Sequence, residues 1–386
     1  MSDFMHLPPG GEVQLLHNLL AQESSSEIEF SLLGMSFSKE YSAGQWQELN
    51  VGDIRYRFFP LCQILKSKEK ARIPFRLRMV WGIRKYYRTA SLDSFDAIYV
   101  QAPETVLPLT GYGGKIALHV HTDPDQTLRI SRFPLFRLPV FSSLYTARIA
   151  KGIRRADRII WSADTIRRNY TSVRPDSASM VDAKSVVVHS CYDPSLLPGA
   201  APVSFREDVT YFITVGRLAR GKRVDFLLEV FFDHLKTHPS ERTEMVICGD
   251  GEEMANLTSQ ARDLGISEYV HFTGDLERPA LAACLQHARL FLFASASETM
   301  SLVVLESLFM GVPVITGDVG DLHLAVRDGE TGYVIREHRK EDYLAAIDKV
   351  LALPKESWET NCRTKAKEFS PRRMNDEVCE QLKSLF

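Results

Sequence analysis

Apolar residues come along this chain in short runs that stop at small or charged loops. Such runs read as strands at SEIEFSLLGMS (26–36), DIRYRFF (53–59), FDAIYVQA (95–102), KIALHVH (115–121), RIIWSA (158–163), SVVVHS (185–190), the apolar run from Val209 up to Gly216, and ARLFLF (288–293), while EMVICGDGEE (244–253) and YVHFTGDLERPAL (269–281) each read as a strand leading into a glycine-containing turn. Between many of them the spacing changes to the helical one, as at Val13, Leu16, Leu19 and Leu20, or Phe226, Leu227 and Val230. Strands alternating with helices predict an α/β fold with parallel sheets and crossover helices. Residues 191–208, rich in Pro, Ala and Ser, read as a linker. It divides a domain at 1–190 from a second at 209–368, and residues 369–386 read as a terminal helix.

The stretch ASASETMSLVVLESLFMGVPVI (294–315) organises the second half. ARLFLF leads into a small polar loop. From Ser301 the residues Leu302, Leu305, Leu308 and Phe309 recur at helical spacing, and Gly311 and Pro313 stop the helix. In an open α/β sheet ligands sit just past the carboxyl ends of strands, where a helix amino terminus offers amides to an anion. Glu298 lies on that loop. Glu306 lies inside the helix among apolar neighbours, so its carboxylate needs a hydrogen-bonding partner, which a sugar or ribose hydroxyl would supply.

Other chemistry is thinner. Arg217 and Lys222 bracket the turn after VTYFITVG, where two cations can neutralise a departing diphosphate without a metal, although such a pair taken alone is usually surface charge. His119 and His121 share one strand face because side chains alternate with period two. Asp123 and Asp125 have a spacing that could hold a divalent metal, but nothing else in the chain supports that reading. Gly10-Gly11 opens the amino-terminal helix as a turn, with only MSDFM before it. Either the first strand is very short or the natural chain starts upstream.

Composition sets limits. With 386 residues, 45% hydrophobic and 25% charged, the chain can bury two cores. No apolar run is long enough to span a bilayer and no signal peptide is visible, so the expected location is the cytoplasm. The 6 cysteines show no paired spacing, which suggests neither a zinc site nor a disulfide framework. The net charge of -2 hides an asymmetry, because residues 1–190 hold 25 Lys+Arg against 18 Asp+Glu. That excess is concentrated at 65–88 and 129–158, where Arg and Lys mix with aromatic and aliphatic residues. This composition suits contact with an anionic membrane or acceptor; a solvated helix face remains the alternative. No nucleic-acid-binding motif accompanies the charge.

The 294–315 stretch resembles the signature of family 4 retaining glycosyltransferases: a Glu, seven residues, a Glu, then a Gly-x-Pro-Val-Ile strand. The resemblance implies the GT-B fold, two Rossmann-like domains facing each other across a cleft, the first holding the acceptor and the second the nucleotide sugar. It implies that Glu298 contacts the donor sugar and Glu306 the ribose, and that amides near Met300, Ser301 and Leu302 meet the diphosphate. Gly216, Arg217 and Lys222 are similar to the family's second signature and inherit the pyrophosphate role. By the same likeness Gly10 and Gly11 approach the donor phosphates, His121 lies near the donor sugar, and Phe272, Thr273 and Gly274 meet the base. The sequence departs in two places: Thr-Met-Ser comes after Glu298 where many relatives have Gly-Phe-Gly, and Arg223 stands where relatives often have Gly. The resemblance therefore implies sugar transfer, with retention, from a nucleoside diphosphate donor (expected to be UDP-linked) to a hydroxyl acceptor, with no metal or other cofactor. Two alternatives stay open at this point: an epimerase or phosphorylase on the same fold, and a non-catalytic nucleotide-sugar-binding partner subunit.

Overall fold

The computed structural model describes residues 16–17, 19–21, 27–64, 75–122, 139–194, 206 and 208–386. Gly10, Gly11, Asp123, Asp125, residues 65–74 and 129–138 of the two basic segments, and residues 195–205 of the expected linker lie outside the described residues. The chain divides into two compact units, one formed by 1–191 with 371–386, the other by 192–370.

The first unit contains β1 (Ser31–Ser36), β2 (Gln47–Val51), β3 (Ile54–Gln63), α1 (Phe75–Tyr86), β4 (Ala97–Val100), β5 (Lys115–Val120), α2 (Pro139–Arg155), β6 (Arg158–Trp161), α3 (Asp164–Ser172), α4 (Pro175–Ala183) and β7 (Ser185–Val187). Its strands form two sheets, ordered β1-β3-β2 and β4-β5-β6-β7. The second sheet is parallel throughout, as the alternation predicts. The first corrects that expectation, because β2 and β3 are an antiparallel hairpin in which Val51 pairs with Ile54. The physical reason is the turn: Gly52 adopts φ 58, a left-handed conformation that lets two residues reverse the chain. Leu49, Val51, Tyr56 and Phe58 then point to one buried face. A helix at Pro371–Lys383 completes this unit, burying Met374, Val378 and Leu382 while Asn375 Nδ2 donates to the Leu19 carbonyl at 2.8 Å.

The second unit holds β8 (Thr210–Val215), α5 (Val224–Thr237), β9 (Thr243–Cys248), α6 (Met254–Asp263), β10 (Val270–Gly274), α7 (Arg278–His287), β11 (Leu290–Phe293), α8 (Leu302–Phe309), β12 (Val314–Gly317), β13 (Gly332–Ile335), α9 (Lys340–Leu351) and α10 (Glu356–Lys367). Its six strands are parallel, in the order β10-β9-β8-β11-β12-β13. Strands with nearly continuous apolar sequence, such as LFLF in β11, are buried on both faces, as a sheet covered by helices on either side requires. Tyr192, inside the stretch expected to be linker, is instead part of this core; its N–H donates to the Phe369 carbonyl at 2.9 Å.

Strand order decides where a ligand can go. From β8 the chain builds outward through β9 to β10, then returns to place β11 on the other side of β8. The connections after β8 and β11 therefore leave on opposite sides, opening a crevice at the carboxyl ends of these two neighbours.

Candidate active site

The two loops at this switch point are the ones the sequence singles out. After β8 come Gly216 and a turn at Arg220–Lys222; after β11 comes the loop 294–301. They are tied together by backbone and side chain. The Ala296 N–H donates to the Gly221 carbonyl at 2.8 Å, the Ser295 hydroxyl reaches the same carbonyl at 3.3 Å, and Lys222 Nζ lies 2.5 Å from Glu298 Oε1. The lysine side chain is 33% exposed and the glutamate 13%, so the pair faces the crevice and is partly shielded from water. Lys222 also sits over the Phe293 ring, 5.6 Å from its centroid.

The far side of the loop is fixed by backbone packing. Gly320 approaches so closely that a Cβ there would stand 2.3 Å from the Thr299 carbonyl oxygen and 2.5 Å from that of Glu298. The next residue, Asp321, donates its N–H to the Thr299 carbonyl at 2.9 Å. Met300 and Ser301 are buried, and Ser301 is the extended residue from which α8 starts. The first amides of α8 have no intrahelical acceptor and carry the positive end of the helix dipole.

Glu306, in the second turn of α8, is 4% exposed. The sequence leaves its partner unnamed, and the structure provides Arg278, at the start of α7, whose Nη1 lies 2.6 Å from Glu306 Oε1. Burial pushes this carboxyl above its ordinary range, and Arg278 only partly offsets that. Tyr192 lies near enough for burial, together with the Glu306 charge, to raise its phenol strongly, and its buried hydroxyl has no partner among the described residues. A carboxylate held by one cation, with a second oxygen to offer, is an acceptor suited to vicinal hydroxyls.

Other expected residues are arranged differently. Arg217 does not join Lys222; it forms a two-pronged pair with Glu252, at 3.0 and 3.2 Å, with both side chains largely exposed. Gly216, at φ 145, hydrogen-bonds through its N–H to the Cys248 carbonyl at 2.9 Å. Gly249 packs on it, where a Cβ would stand 2.1 Å from the Gly216 carbonyl oxygen. Phe272 is half-buried against the core, and the Thr273 hydroxyl turns to the carbonyls of Gly274 (2.9 Å) and Ile247 (3.4 Å). Any contact from this segment is therefore left to main-chain groups such as those at Gly274, φ 68. Arg223 occupies the left-handed region at φ 53, ψ 40, which explains why glycine suits that position, and its guanidinium covers Phe226.

His121 belongs to the first unit, at the carboxyl end of β5. Its Nε2 lies 2.5 Å from Gln101 Oε1 and its Nδ1 2.8 Å from the Ser162 hydroxyl, which in turn lies 3.1 Å from His119 Nε2; His119 Nδ1 lies 2.5 Å from the Tyr99 hydroxyl. One set of proton positions satisfies the chain: Tyr99 donates to His119, His119 to Ser162, Ser162 to His121, and His121 to Gln101. Burial, then the neighbouring His121, holds His119 well below the ordinary histidine range. A recess lined by His121, Gln101, Arg76, Pro103 and Thr122 opens beside it. Sequence parity foretells the shared face of the two histidines, but no local signal marks Ser162 and Gln101 as their partners, or Arg278 as that of Glu306.

The likeness to known proteins falls on the same region. Residues 201–369 match the family model described as "Glycosyl transferases group 1". A D-inositol 3-phosphate glycosyltransferase of Nocardiopsis dassonvillei is 30% identical over 213 residues, 52% of this chain and 49% of that protein. The chain spans about half the length, or less, of the curated relatives it matches. Among solved structures, the apo lipopolysaccharide outer core galactosyltransferase WaaB aligns with a TM-score of 0.67 at 17% identity, over 98% of this chain and 96% of that one. Anabaena HepE in complex with UDP-glucose aligns with a TM-score of 0.67 at 16% identity, over 99% and 98% of the two chains. The fold is thus that of the GT-B glycosyltransferases, and the likeness to the glycosyl transferases group 1 family lies in residues 201–369.

Proposed function

We propose that this protein is a retaining glycosyltransferase of family 4 type, moving a sugar from a UDP-linked donor to an acceptor hydroxyl. The observation that carries the reading is the Lys222–Glu298 pair at the switch point, with the buried Glu306 eight positions further on. Lys222 and the first amides of α8 are the groups to meet charge developing on the departing diphosphate, and stabilisation of this kind is usually the largest catalytic term. Glu298, released from Lys222 as the diphosphate takes its place, is left to hold the sugar. Glu306 takes the ribose. Among the described residues no carboxylate stands out as a separate nucleophile, which fits a same-face displacement in which the leaving phosphate helps remove the acceptor proton. Arg217 joins the site only by leaving Glu252. With Lys222 as the counter-charge, transfer needs no metal.

The HepE complex supports UDP as the nucleotide to try first, and the curated relatives' names place an inositol phosphate among the acceptors to try, beside cell-envelope glycolipid or polysaccharide intermediates and small natural products. The test is incubation of a UDP-sugar panel with these acceptors, without added divalent metal, followed by NMR of the product anomer. Retained configuration is expected, and Lys222→Ala should lower kcat by on the order of 10² to 10³. Epimerised donor in the absence of acceptor, or indifference to Lys222→Ala, would overturn the reading.

The basic segments fit a cytoplasmic enzyme whose first unit docks on anionic lipid. Trp81 on α1 and Val140, Phe141 and Leu144 on α2 are exposed large apolar side chains, and both helices end in basic residues. Among the described residues no helix is long and apolar enough to cross a membrane. Flotation with anionic vesicles should carry the protein at low salt and lose it at high salt; no binding at low salt refutes this docking.

A further inference from the structure

At the opposite end of α5 from Lys222, the sequence HLKTH places His234 and His238 one helical turn apart. His234 is fully buried against Phe212, and neither of its ring nitrogens has a hydrogen-bond partner among the described residues. An imidazole left this way carries the full cost of desolvation without compensation. His238, the residue that ends α5, stacks on it with ring centroids 4.6 Å apart. Asp348, in the last turn of α9, completes the group: one ring nitrogen from each histidine and a carboxylate oxygen all lie within 4.8 Å of one another.

The protons around His238 point the same way. The Thr237 hydroxyl reaches the carbonyls of Asp233 and His234 at 3.1 and 3.0 Å, and so has spent its only hydrogen. His238 Nδ1 lies 2.9 Å from that hydroxyl and 3.3 Å from the His234 carbonyl oxygen, which can only accept, so the proton belongs on Nδ1. That fixes the tautomer and leaves the Nε2 lone pair facing Asp348 Oδ1 at 3.6 Å. Two acceptors facing each other across that gap, beside a third unpaired nitrogen, offer a cation three ligand atoms. Nδ1–H held by a supporting oxygen with Nε2 free is also how a metal-binding histidine is oriented. The carboxyl ends of α5 and α9, where His238 and Asp348 stand, carry partial negative charge that favours a cation.

We propose that His234, His238 and Asp348 form a binding site for a divalent first-row transition metal ion of the zinc class. Two imidazole nitrogens and one carboxylate oxygen are ligands that zinc accepts in tetrahedral geometry, with water filling the remaining position. The ion would clamp the ends of α5 and α9 together, about 20 Å of helix away from Lys222, so its role is structural and independent of the transfer chemistry.

The test uses the full-length protein, stripped with chelator and titrated with zinc chloride by calorimetry. One equivalent should bind with micromolar or tighter affinity, and His238→Ala and Asp348→Asn should each weaken it at least about tenfold, the loss known from removing a mere supporting group. Both changes lie at the surface, so folding should survive; circular dichroism checks that. Cobalt(II) should give visible d–d bands with the wild type that His238→Ala abolishes. The proposal is overturned if the stripped wild type takes up no zinc, or if zinc and cobalt bind equally to both variants, which would place the metal on another histidine cluster.

Discussion

Replacing Arg278 with Leu isolates the physics of the buried acid. Glu306 is 5% exposed at its side chain and Arg278 35%, so the change removes the cation from an almost dry carboxylate. Breaking a fully buried pair costs about 3–5 kcal/mol; with the arginine over one-third exposed and screened, about 2 kcal/mol is expected here. The carboxyl can escape part of that cost by taking up a proton, so losing the cation raises its pKa further. Linkage sets the sign. A carboxyl whose pKa is higher in the folded state than the ordinary 4.5 favours folding when protonated, and that contribution is lost as pH rises through the folded-state value. Arg278→Leu should therefore steepen the loss of stability above about pH 4.5, and Glu306→Gln should remove that pH dependence from both backgrounds. The assay is urea unfolding across pH, monitored by the fluorescence of Trp358, the only tryptophan among residues 192–370. Equal stability of wild type and Arg278→Leu at neutral pH, or an unchanged pH slope, would refute the reasoning.

Further outcomes rest on the same contacts. Gly320→Ala puts a methyl against the carbonyls of Thr299 and Glu298 at a residue with φ 59, so it should displace the 294–301 loop and weaken UDP-sugar binding by calorimetry while leaving the fold intact by circular dichroism. At position 223, Arg→Gly should raise the thermal midpoint by relieving a left-handed conformation worth about 1 kcal/mol, and Arg→Val should lower it; the reverse order would contradict the strain. His119, depressed by burial, contributes stability that is present above pH 6.5 and lost as pH falls below it, because the unfolded chain then takes up a proton the folded one refuses. His119→Gln should blunt that acid sensitivity in the first unit, read from its amide exchange as a function of pH.

The second unit is largely legible in the sequence because its strands are buried on both faces and read as unbroken apolar runs, while helix α8 announces itself by spacing and by its Gly311 stop. The pairing of β2 with β3 is not, since QELNV is a half-exposed strand whose alternation is weak and whose hairpin depends on the conformation of Gly52. Glu298 and Glu306 can be picked out by position. Their partners cannot: Lys222 is 76 residues from Glu298 and Arg278 is 28 from Glu306, distances along the chain that only the strand order closes. The diversion of Arg217 is hidden for the same reason, because its carboxylate partner Glu252 arrives on the next loop.

The measurement closest to the central claim is a structure of the protein with UDP bound. The account predicts the diphosphate against Lys222 and the amides that open α8, with both ribose hydroxyls on the Glu306 carboxylate and Glu298 freed from the lysine. A nucleotide seated elsewhere, with Lys222 still paired to Glu298 and Glu306 touching only Arg278, would contradict it.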